Sequence, residues 1–276
     1  MFIFMIRLIY KLIQKIFKIF KWNISIQLDG KNKKDSKVNK IILNKIDRRR
    51  DKYKTNLNIG AGDYVIDNFI SLDFYNEKYY SDKKHFDKNR ISYDMRNDDI
   101  PYKNQTVDNI YCSHVIEHVE EEFADYFFKE CKRILKTKGV LRIVVPDAKF
   151  LYQMCLFESD YFAWHKFYKK KTNIDMLIEK ISTIKSNNNY KLKKKIYEYE
   201  YLELMKELTN DLKFDRDNAH NHINFWDFEK INSYKKKYDF SKIIRSKVNG
   251  SVSKEMQGDD FDIVHQNMSL YVDLIK

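Results

Sequence analysis

A pair of glycines between two short apolar runs constrains the fold of this chain more than any other sequence feature. The run TNLNIG ends in Gly60-Ala61-Gly62, and a second run, ISLDF, occupies residues 70–74. Only 6 of the 276 residues are glycine, so two glycines within three positions stand well above the background. Glycine after a strand lets the backbone bend tightly and lets a ligand approach without a Cβ in the way. The pattern therefore predicts a strand, a glycine turn and a second strand.

The acidic residue that ends the second run indicates the kind of ligand. Asp73 can accept hydrogen bonds from a ribose diol, which favours an adenosine-type ligand. Position 65 is valine, so the third glycine of G-x-G-x-x-G is absent, and Asp73 follows Gly62 by 11 residues. Dinucleotide folds place this acid about 20 residues after the motif, so NAD and FAD are disfavoured. ATP is disfavoured too, because no G-x-x-x-x-G-K-[ST] motif occurs.

Strand and helix patterns alternate through the next 75 or so residues. A short strand is predicted to end at Asp94, a second strand to span residues 107–113, and a helix to begin near Glu117 and cover residues 118–136. Gly139 is predicted to end this helix before the buried parallel-type strand VLRIVVP. Such alternation predicts a doubly wound, mostly parallel α/β sheet. Ligands bind at the carboxyl ends of its strands, where Gly60, Asp73, Asp94, Ser113 and Asp147 would lie.

The order of these segments resembles one enzyme family. LNIGAG, SLDF, YDMRNDDIPYKNQTVDNIYCSHVIEHV and ECKRILKTKGVLRIVVPD are similar to the motifs of class I S-adenosylmethionine (SAM)-dependent methyltransferases. The subgroup resembled is compact, has a shortened first helix and is often associated with glycan and cell-envelope biosynthesis. The resemblance covers about residues 55–147 and the C-terminal segment. It implies a Rossmann-like fold and SAM as the cofactor.

The resemblance also implies the cofactor contacts. It places Asn58, Gly60 and Gly62 at the methionine part of SAM, Asp73 at the ribose hydroxyls, Asp94 and Met95 at the adenine, and Ser113 and His114 near the sulfonium. Two of these residues have a purely structural alternative: Asp94 can terminate a strand, and Ser113 can cap a helix.

Methyl transfer from a sulfonium needs mainly that the acceptor be held in line with the methyl group. A general base helps if the acceptor is a hydroxyl. The resemblance aligns His222 with a family histidine and makes it the first candidate base, followed by His114 and Asp147. The alternative for His222 is a partly buried histidine that bonds a carbonyl of the lid. No metal site is predicted, because the sequence shows no evident cluster of metal ligands and His220 and His222 would be poorly placed on a helix to share an ion.

The chain divides into four predicted regions. Residues 1–54 form a basic amphipathic helix and linker, residues 55–147 form the SAM-binding core, and residues 148–218 form a helical insertion after the fifth strand, acting as a lid or acceptor region. Residues 219–276 complete the core sheet. Within the insertion, an aromatic stripe either stacks on sugar or lipid or is ordinary helix core. The stripe consists of Phe157, Tyr161, Phe162, Trp164, Phe167 and Tyr168.

The net charge of +12 is confined to the first region. Residues 1–54 hold 16 Lys and Arg against 4 Asp and Glu, so the body of the chain is neutral and no nucleic-acid partner is predicted. In residues 1–22 the cations occupy one arc of a helix and interrupt the apolar run too often for a membrane span. This pattern predicts an in-plane anchor on an anionic membrane surface. The alternative is a helix that docks onto the protein's own core or a second subunit.

Three widely spaced cysteines, Cys112, Cys131 and Cys155, form no C-x-x-C pair, which suits a reduced cytoplasmic compartment. Together these features predict a methyltransferase attached peripherally to the inner membrane face, which O-methylates a glycan or lipid-linked saccharide. A lipophilic small molecule such as a quinone precursor is the alternative acceptor. A non-catalytic SAM-fold module recruited to the membrane is the alternative outside enzymes. The sequence does not indicate an oligomeric state.

Overall fold

The computed structural model describes residues 54–62, 64–74, 90–157, 172–186 and 198–276. The predicted N-terminal helix, nearly all of its linker, and the aromatic stripe beyond Phe157 lie outside the described residues. Within the described ranges, no helix is both long and apolar enough to cross a bilayer.

Among the described residues, seven strands form one mixed sheet with the order β3-β2-β1-β4-β5-β7-β6. The strands are β1 (Asn56–Ile59), β2 (Ile70–Asp73), β3 (Ile91–Ser92), β4 (Val107–Ser113), β5 (Leu135–Pro146), β6 (Lys242–Arg245) and β7 (Ser269–Ile275). The first five strands are parallel, and β7 lies antiparallel between β5 and β6. This topology confirms the predicted Rossmann-like, mostly parallel α/β sheet.

Six α-helices occur in the described part of the chain. They are α1 (Glu121–Ile134), α2 (Ala148–Leu156), α3 (Asn173–Ile181), α4 (Thr183–Ser186), α5 (Tyr201–Thr209) and α6 (Phe228–Lys237). Helices α2, α3 and α5 pack on one another through a shared apolar cluster, so the predicted helical insertion after the fifth strand is present. Single 3₁₀ turns span Ile116–His118, Arg216–Asn218 and Lys254–Met256.

The two faces of the sheet are covered differently. Ile110 and Cys112 of β4 pack with α1 and α6 in the main core. Tyr111, which points to the opposite face, packs with residues such as Met256 and Phe261 from the C-terminal loops. This division follows from the alternation of side chains along a strand.

The prediction for the end of helix α1 was wrong. The helix spans Glu121–Ile134, and the backbone turns directly into β5 at Leu135, whose φ and ψ are −61° and 138°. Gly139 therefore lies inside the strand instead of ending the helix. A Cβ at this position would lie 2.9 Å from the Lys136 carbonyl oxygen and 3.0 Å from the Asp108 carbonyl oxygen. The glycine is needed because backbone approaches it closely at an irregularity in the β4–β5 pairing.

A fully buried ion network joins the sheet to the C-terminal loops. Arg142 of β5 lies opposite Asp273 of β7, and its Nη1 donates to that carboxylate at 3.0 Å. The same guanidinium forms two hydrogen bonds with Asp262, of which the one from Nε measures 3.0 Å. All three charged side chains are fully buried. Asp273 also accepts a hydrogen bond from the Val252 backbone N–H at 2.7 Å, so the network fixes the path of the loop.

Candidate functional site

An open cleft lies at the carboxyl ends of β1, β2 and β4. It encloses about 710 Å³ of space, open solvent included. Its lining residues are Ile59, Gly60, Gly62, Asp73, Phe74, Tyr93, Asp94, Met95, Arg96, His114, Val115, His118, Val119, Phe214 and Ala219. The cleft lies at the strand edge where the sequence places the ligand.

The glycine turn after β1 forms one wall of the cleft. Gly60 and Gly62 both adopt left-handed backbone conformations, with φ of 69° and 55°. A Cβ built on Gly60 would lie 2.2 Å from Cγ2 of Val115, whereas nothing lies within 4 Å of one built on Gly62. Gly60 is therefore required by packing as well as by conformation, and Gly62 leaves the space beside it open.

Asp73, at the end of β2, fixes the shape of this turn. Its Oδ2 accepts a hydrogen bond from the Gly62 backbone N–H at 2.6 Å, and its Oδ1 accepts one from the Phe74 N–H at 2.8 Å. Bonds from N–H groups to a carboxylate are among the stronger hydrogen bonds in proteins. The acid that sequence analysis assigned to a ribose thus also holds the glycine turn in place.

Flat side chains form the far end of the cleft. The Arg96 guanidinium lies 3.7 Å from the ring centre of Phe214 and donates to Asp94 at 2.9 Å and 2.6 Å. Burial alone would raise the pKa of Asp94, but the bonds from Arg96 lower it, so the carboxylate is ionised. Phe74 meets Phe214 edge to face, with ring centres 6.0 Å apart. Aromatic and guanidinium planes of this kind suit a flat heterocycle.

A histidine–carboxylate pair lies at the end of β4. His114 has a left-handed backbone, its Nδ1 lies 2.9 Å from Oε1 of Glu117, and its Nε2 lies 3.0 Å from Oγ of Ser269. The Glu117 side chain is 1% exposed. Burial would raise the pKa of Glu117, yet the hydrogen bond from His114 lowers it below the usual value. Because an ionised carboxylate only accepts hydrogen bonds, Nδ1 of His114 carries the proton.

Two more histidines lie beside Glu117. His118 lines the cleft and bonds the Asn221 carbonyl through Nδ1 at 3.0 Å, and His222 bonds the Lys180 carbonyl through Nδ1 at 2.6 Å. The two rings meet edge to face with centres 4.7 Å apart. Burial lowers the pKa of His118, and burial together with the charge of a protonated His118 lowers that of His222 to about 3. Both imidazoles are neutral at pH 7.

The expectation that no ligand set for a metal exists was based on residues close in sequence. It considered His220 and His222, whereas the structure brings His222 to Glu117 and His118, which lie about 100 residues earlier. The ligand atoms of these three residues lie within 4.8 Å of one another. Sequence spacing carries no signal of this cluster, because the chain returns to it from a different part of the fold.

The residues expected to form the site fall into two groups. Gly60, Gly62, Asp73, Asp94, Met95 and His114 line the cleft. Asn58, Ser113, Asp147 and His222 are outside its lining. Asn58 is buried and its Nδ2 donates to the Tyr64 carbonyl at 3.2 Å, so it supports the segment after the glycine turn. Phe214 was missed, since it is a single aromatic residue in no motif.

Asp147 has a structural role in this arrangement. Its side chain caps helix α2 by accepting from the Phe150 backbone N–H at 3.0 Å, and it pairs with Arg245 at 2.7 Å. Burial raises its pKa despite the nearby Arg245. These contacts hold the carboxylate at the start of the helix, and Asp147 is not among the residues that line the cleft. The structure therefore gives no support for Asp147 as a general base.

One protein-family model matches the chain. Residues 58–143 match a family described as a methyltransferase domain, and this range contains the glycine turn, Asp73, Asp94 and the His114–Glu117 pair. The chain matches none of the curated proteins with which it was compared.

Solved structures of similar shape include several methyltransferases. The SAM-dependent methyltransferase from Archaeoglobus fulgidus is 12% identical with a TM-score of 0.43, and the alignment covers 86% of this chain and 94% of that one. A SAM-dependent methyltransferase from Thermotoga maritima, described as a possible histamine N-methyltransferase, is 15% identical with a TM-score of 0.40. The alignment covers 80% of this chain and 82% of the Thermotoga protein. The SAM-dependent methyltransferase SibL is 10% identical with a TM-score of 0.39. The alignment covers 88% of this chain but only 55% of SibL.

The cleft fits SAM, the cofactor of a methyltransferase domain. Nothing lies within 4 Å of a Cβ built on Gly62, which lines the cleft, so the turn leaves main chain open to a ligand there. Asp73 lines the cleft with a carboxylate of the kind that suits ribose hydroxyls, and Phe74, Arg96 and Phe214 supply flat surfaces of the kind that suit an adenine. The donors and surfaces present in this structure therefore match the chemical groups of SAM.

Proposed function

We propose that this chain is a class I SAM-dependent methyltransferase and that it O-methylates a hydroxyl of a glycan or lipid-linked saccharide at the inner face of a membrane. The observation that carries the proposal is the His114–Glu117 pair in the cleft wall. A histidine whose Nδ1–H is held by a buried carboxylate is arranged to accept a proton at its other nitrogen.

The protein's own part in the reaction is to position the acceptor and to take its proton. SAM, when bound, would supply a methyl group for in-line attack by the acceptor oxygen, and its sulfur would keep the electron pair of the broken bond as a neutral thioether. Nε2 of His114 receives the hydroxyl proton, and the ionised Glu117 stabilises the imidazolium that results. Ser269 Oγ lies 3.0 Å from this nitrogen and also bonds the His265 carbonyl at 2.8 Å, so the serine side chain must turn away before an acceptor hydroxyl reaches Nε2.

An alcohol acceptor is supported by the presence of this base. A phenol has a pKa near 10, as tyrosine does, and an alcohol is a far weaker acid, so base assistance matters more for a sugar hydroxyl than for a phenolic quinone precursor. The saccharide class is further supported by the resemblance of the motif series to the subgroup associated with glycan biosynthesis. The membrane location rests on the basic amphipathic segment 1–22.

The chemical step is tested with His114→Asn in the full chain. The asparagine side-chain N–H can still donate to Glu117, but no nitrogen remains to accept the proton. We expect transfer from methyl-labelled SAM to the saccharide fraction of a native lipid extract to fall about 100-fold, at the low end of general-base effects, because in-line transfer depends mainly on positioning. SAM affinity, measured by calorimetry, should change much less.

The matched control is His220→Asn, a histidine on the exposed surface, which should transfer at the wild-type rate. After mild acid cleavage of the lipid linkage, the label should move to the aqueous phase with the sugar and resist alkali, as an ether does. Label that stays with a quinone-type lipid would overturn the saccharide proposal. So would label that alkali releases, because alkali cleaves a methyl ester but not a methyl ether. An unchanged rate in His114→Asn would remove His114 as the base.

Membrane attachment is tested separately with vesicles. Each Lys or Arg near an anionic surface contributes about 1 kcal/mol, so replacing Lys11, Lys15 and Lys18 by glutamine should weaken binding to vesicles containing phosphatidylglycerol about 100-fold. The control removes the same charge from the body of the protein, by replacing the exposed Lys103, Lys129 and Lys236. Co-sedimentation measures both. If the two triple variants lose equal affinity, the N-terminal segment is not the anchor.

A further inference from the structure

We propose that Glu117, His118 and His222 form a binding site for a divalent transition-metal ion, of which Zn²⁺ is the test case. One imidazole nitrogen from each histidine and a carboxylate oxygen lie within 4.8 Å of one another. None of the three residues is among the expected cofactor contacts, and the site does not depend on which acceptor is methylated.

The donor atoms are available for an ion. Oε2 of Glu117 is buried and has no hydrogen-bond partner among the described residues, which is costly for a carboxylate oxygen unless something binds it. Its other oxygen, Oε1, is engaged by His114 at 2.9 Å. One carboxylate can therefore serve His114 through Oε1 and an ion through Oε2.

The hydrogen bonds around the two histidines match those of metal ligands. Metal-binding histidines almost always donate their second ring N–H to a carbonyl or carboxylate, which fixes the tautomer. Here a carbonyl, which can only accept, faces Nδ1 of each ring: Asn221 for His118 and Lys180 for His222. Each ring therefore carries its proton on Nδ1 and presents the Nε2 lone pair toward the cluster.

The backbone already holds the two parts of the cluster together. The N–H groups of Ile223 and Asn224 donate to the Glu117 carbonyl at 2.9 Å and 3.1 Å, and the His222 N–H donates to Oγ1 of Thr183 at 3.0 Å. Ligands of a tetrahedral zinc ion lie about 3.3 Å apart, given bond lengths of about 2.0–2.2 Å. Because the ligand atoms of the three residues already lie within 4.8 Å of one another, closing the site needs only small side-chain rotations.

The ligand types indicate the kind of ion. Two imidazoles and one carboxylate suit Zn²⁺ and other late divalent transition metals, whereas Mg²⁺ and Ca²⁺ prefer oxygen ligands. Three protein ligands leave a fourth position open, as in catalytic zinc sites. Because His118 also lines the cleft, the ion would lie at the boundary between the cleft and the segment that carries His222.

The test is titration of the full, metal-stripped chain with Zn²⁺, followed by calorimetry, and with Co²⁺, whose visible absorption reports its coordination. We expect one ion per chain, a Co²⁺ spectrum typical of four ligands including nitrogen, and no binding of Mg²⁺. His118→Asn and His222→Asn keep a side-chain N–H for the carbonyl but lose the Nε2 lone pair. Each should weaken Zn²⁺ binding at least about 10-fold.

The matched control is His220→Asn, which removes an exposed histidine two residues from His222 and should bind Zn²⁺ as the wild type does. Thermal unfolding of the metal-free variants separates loss of a ligand from loss of the fold. The Co²⁺ spectrum of the wild type provides a second readout if a variant does not fold. Absence of stoichiometric Zn²⁺ binding by the wild type, or equal loss in all three variants, would overturn the site.

Discussion

Replacing Gly60 with alanine is expected to lower the free energy of unfolding by about 2–5 kcal/mol, whereas Gly62→Ala lowers it by only about 1–2 kcal/mol. Both residues have left-handed backbones, which cost an alanine about 1–2 kcal/mol. Only at Gly60 does the new Cβ collide with a neighbour, 2.2 Å from Val115 Cγ2, and such overpacking adds about 1–3 kcal/mol. Denaturant unfolding measures the difference between the two variants.

A double-mutant cycle isolates the collision. Adding Val115→Ala to Gly60→Ala should restore the stability lost to overpacking but not the stability lost to the left-handed backbone. The free energies of unfolding of the two substitutions should therefore couple by about 1–3 kcal/mol. Because the turn lines the cleft, the Gly60→Ala variant should also bind SAM more weakly. Equal destabilisation by Gly60→Ala and Gly62→Ala would show that the contact with Val115 is not the reason for glycine at position 60.

The second large effect is expected at Arg142. Replacing it with methionine leaves the carboxylates of Asp262 and Asp273 buried without their cation, and breaking a buried pair in this way costs about 3–5 kcal/mol. The matched control, Lys136→Met, removes a half-exposed partner of Asp108 and should cost at most about 1 kcal/mol. Thermal and denaturant unfolding at pH 7 measure both.

The same variant should have a characteristic pH dependence. Burial raises the pKa of Asp273 even with Arg142 beside it, and removing Arg142 raises it further. A carboxyl group with a raised folded-state pKa binds its proton more tightly in the folded protein, so the fold loses stability as pH rises through that range. The destabilisation by Arg142→Met should therefore be largest at pH 7 and shrink toward pH 5. A deficit independent of pH would contradict this explanation.

The parts of the site that sequence analysis predicted are those built from local pattern. The glycine turn and Asp73 lie at the ends of consecutive strands, and strand ends meet at one edge of any parallel sheet. Helical spacing predicted a helix over residues 118–136, which overlaps the observed α1 (Glu121–Ile134), but Gly139 does not end it. A glycine after a helical pattern ordinarily ends the helix. Only the close approach of the Asp108 carbonyl oxygen shows why position 139, inside strand β5, is a glycine.

The residues that were missed depend on contacts between distant segments. Arg142 and Asp273 are single charges within the apolar runs LRIVV and YVDLI, and their pairing follows from the β5–β7 register, which no local pattern encodes. In the same way, His222 was assigned as a base from its likeness to a family residue. Its place behind His118, outside the cleft lining, follows from how the segment before α6 packs against Glu117.

The position of β7 has a consequence for synthesis of the protein on the ribosome. This strand fills the gap between β5 and β6, yet 122 residues lie between the end of β5 and its first residue. At about 5–20 residues per second, the open edge of β5 waits roughly 6–25 s for its partner. An unpaired edge of this length is a template for wrong pairing with another nascent chain. The edge of β5 is thus a surface that needs shielding before translation ends.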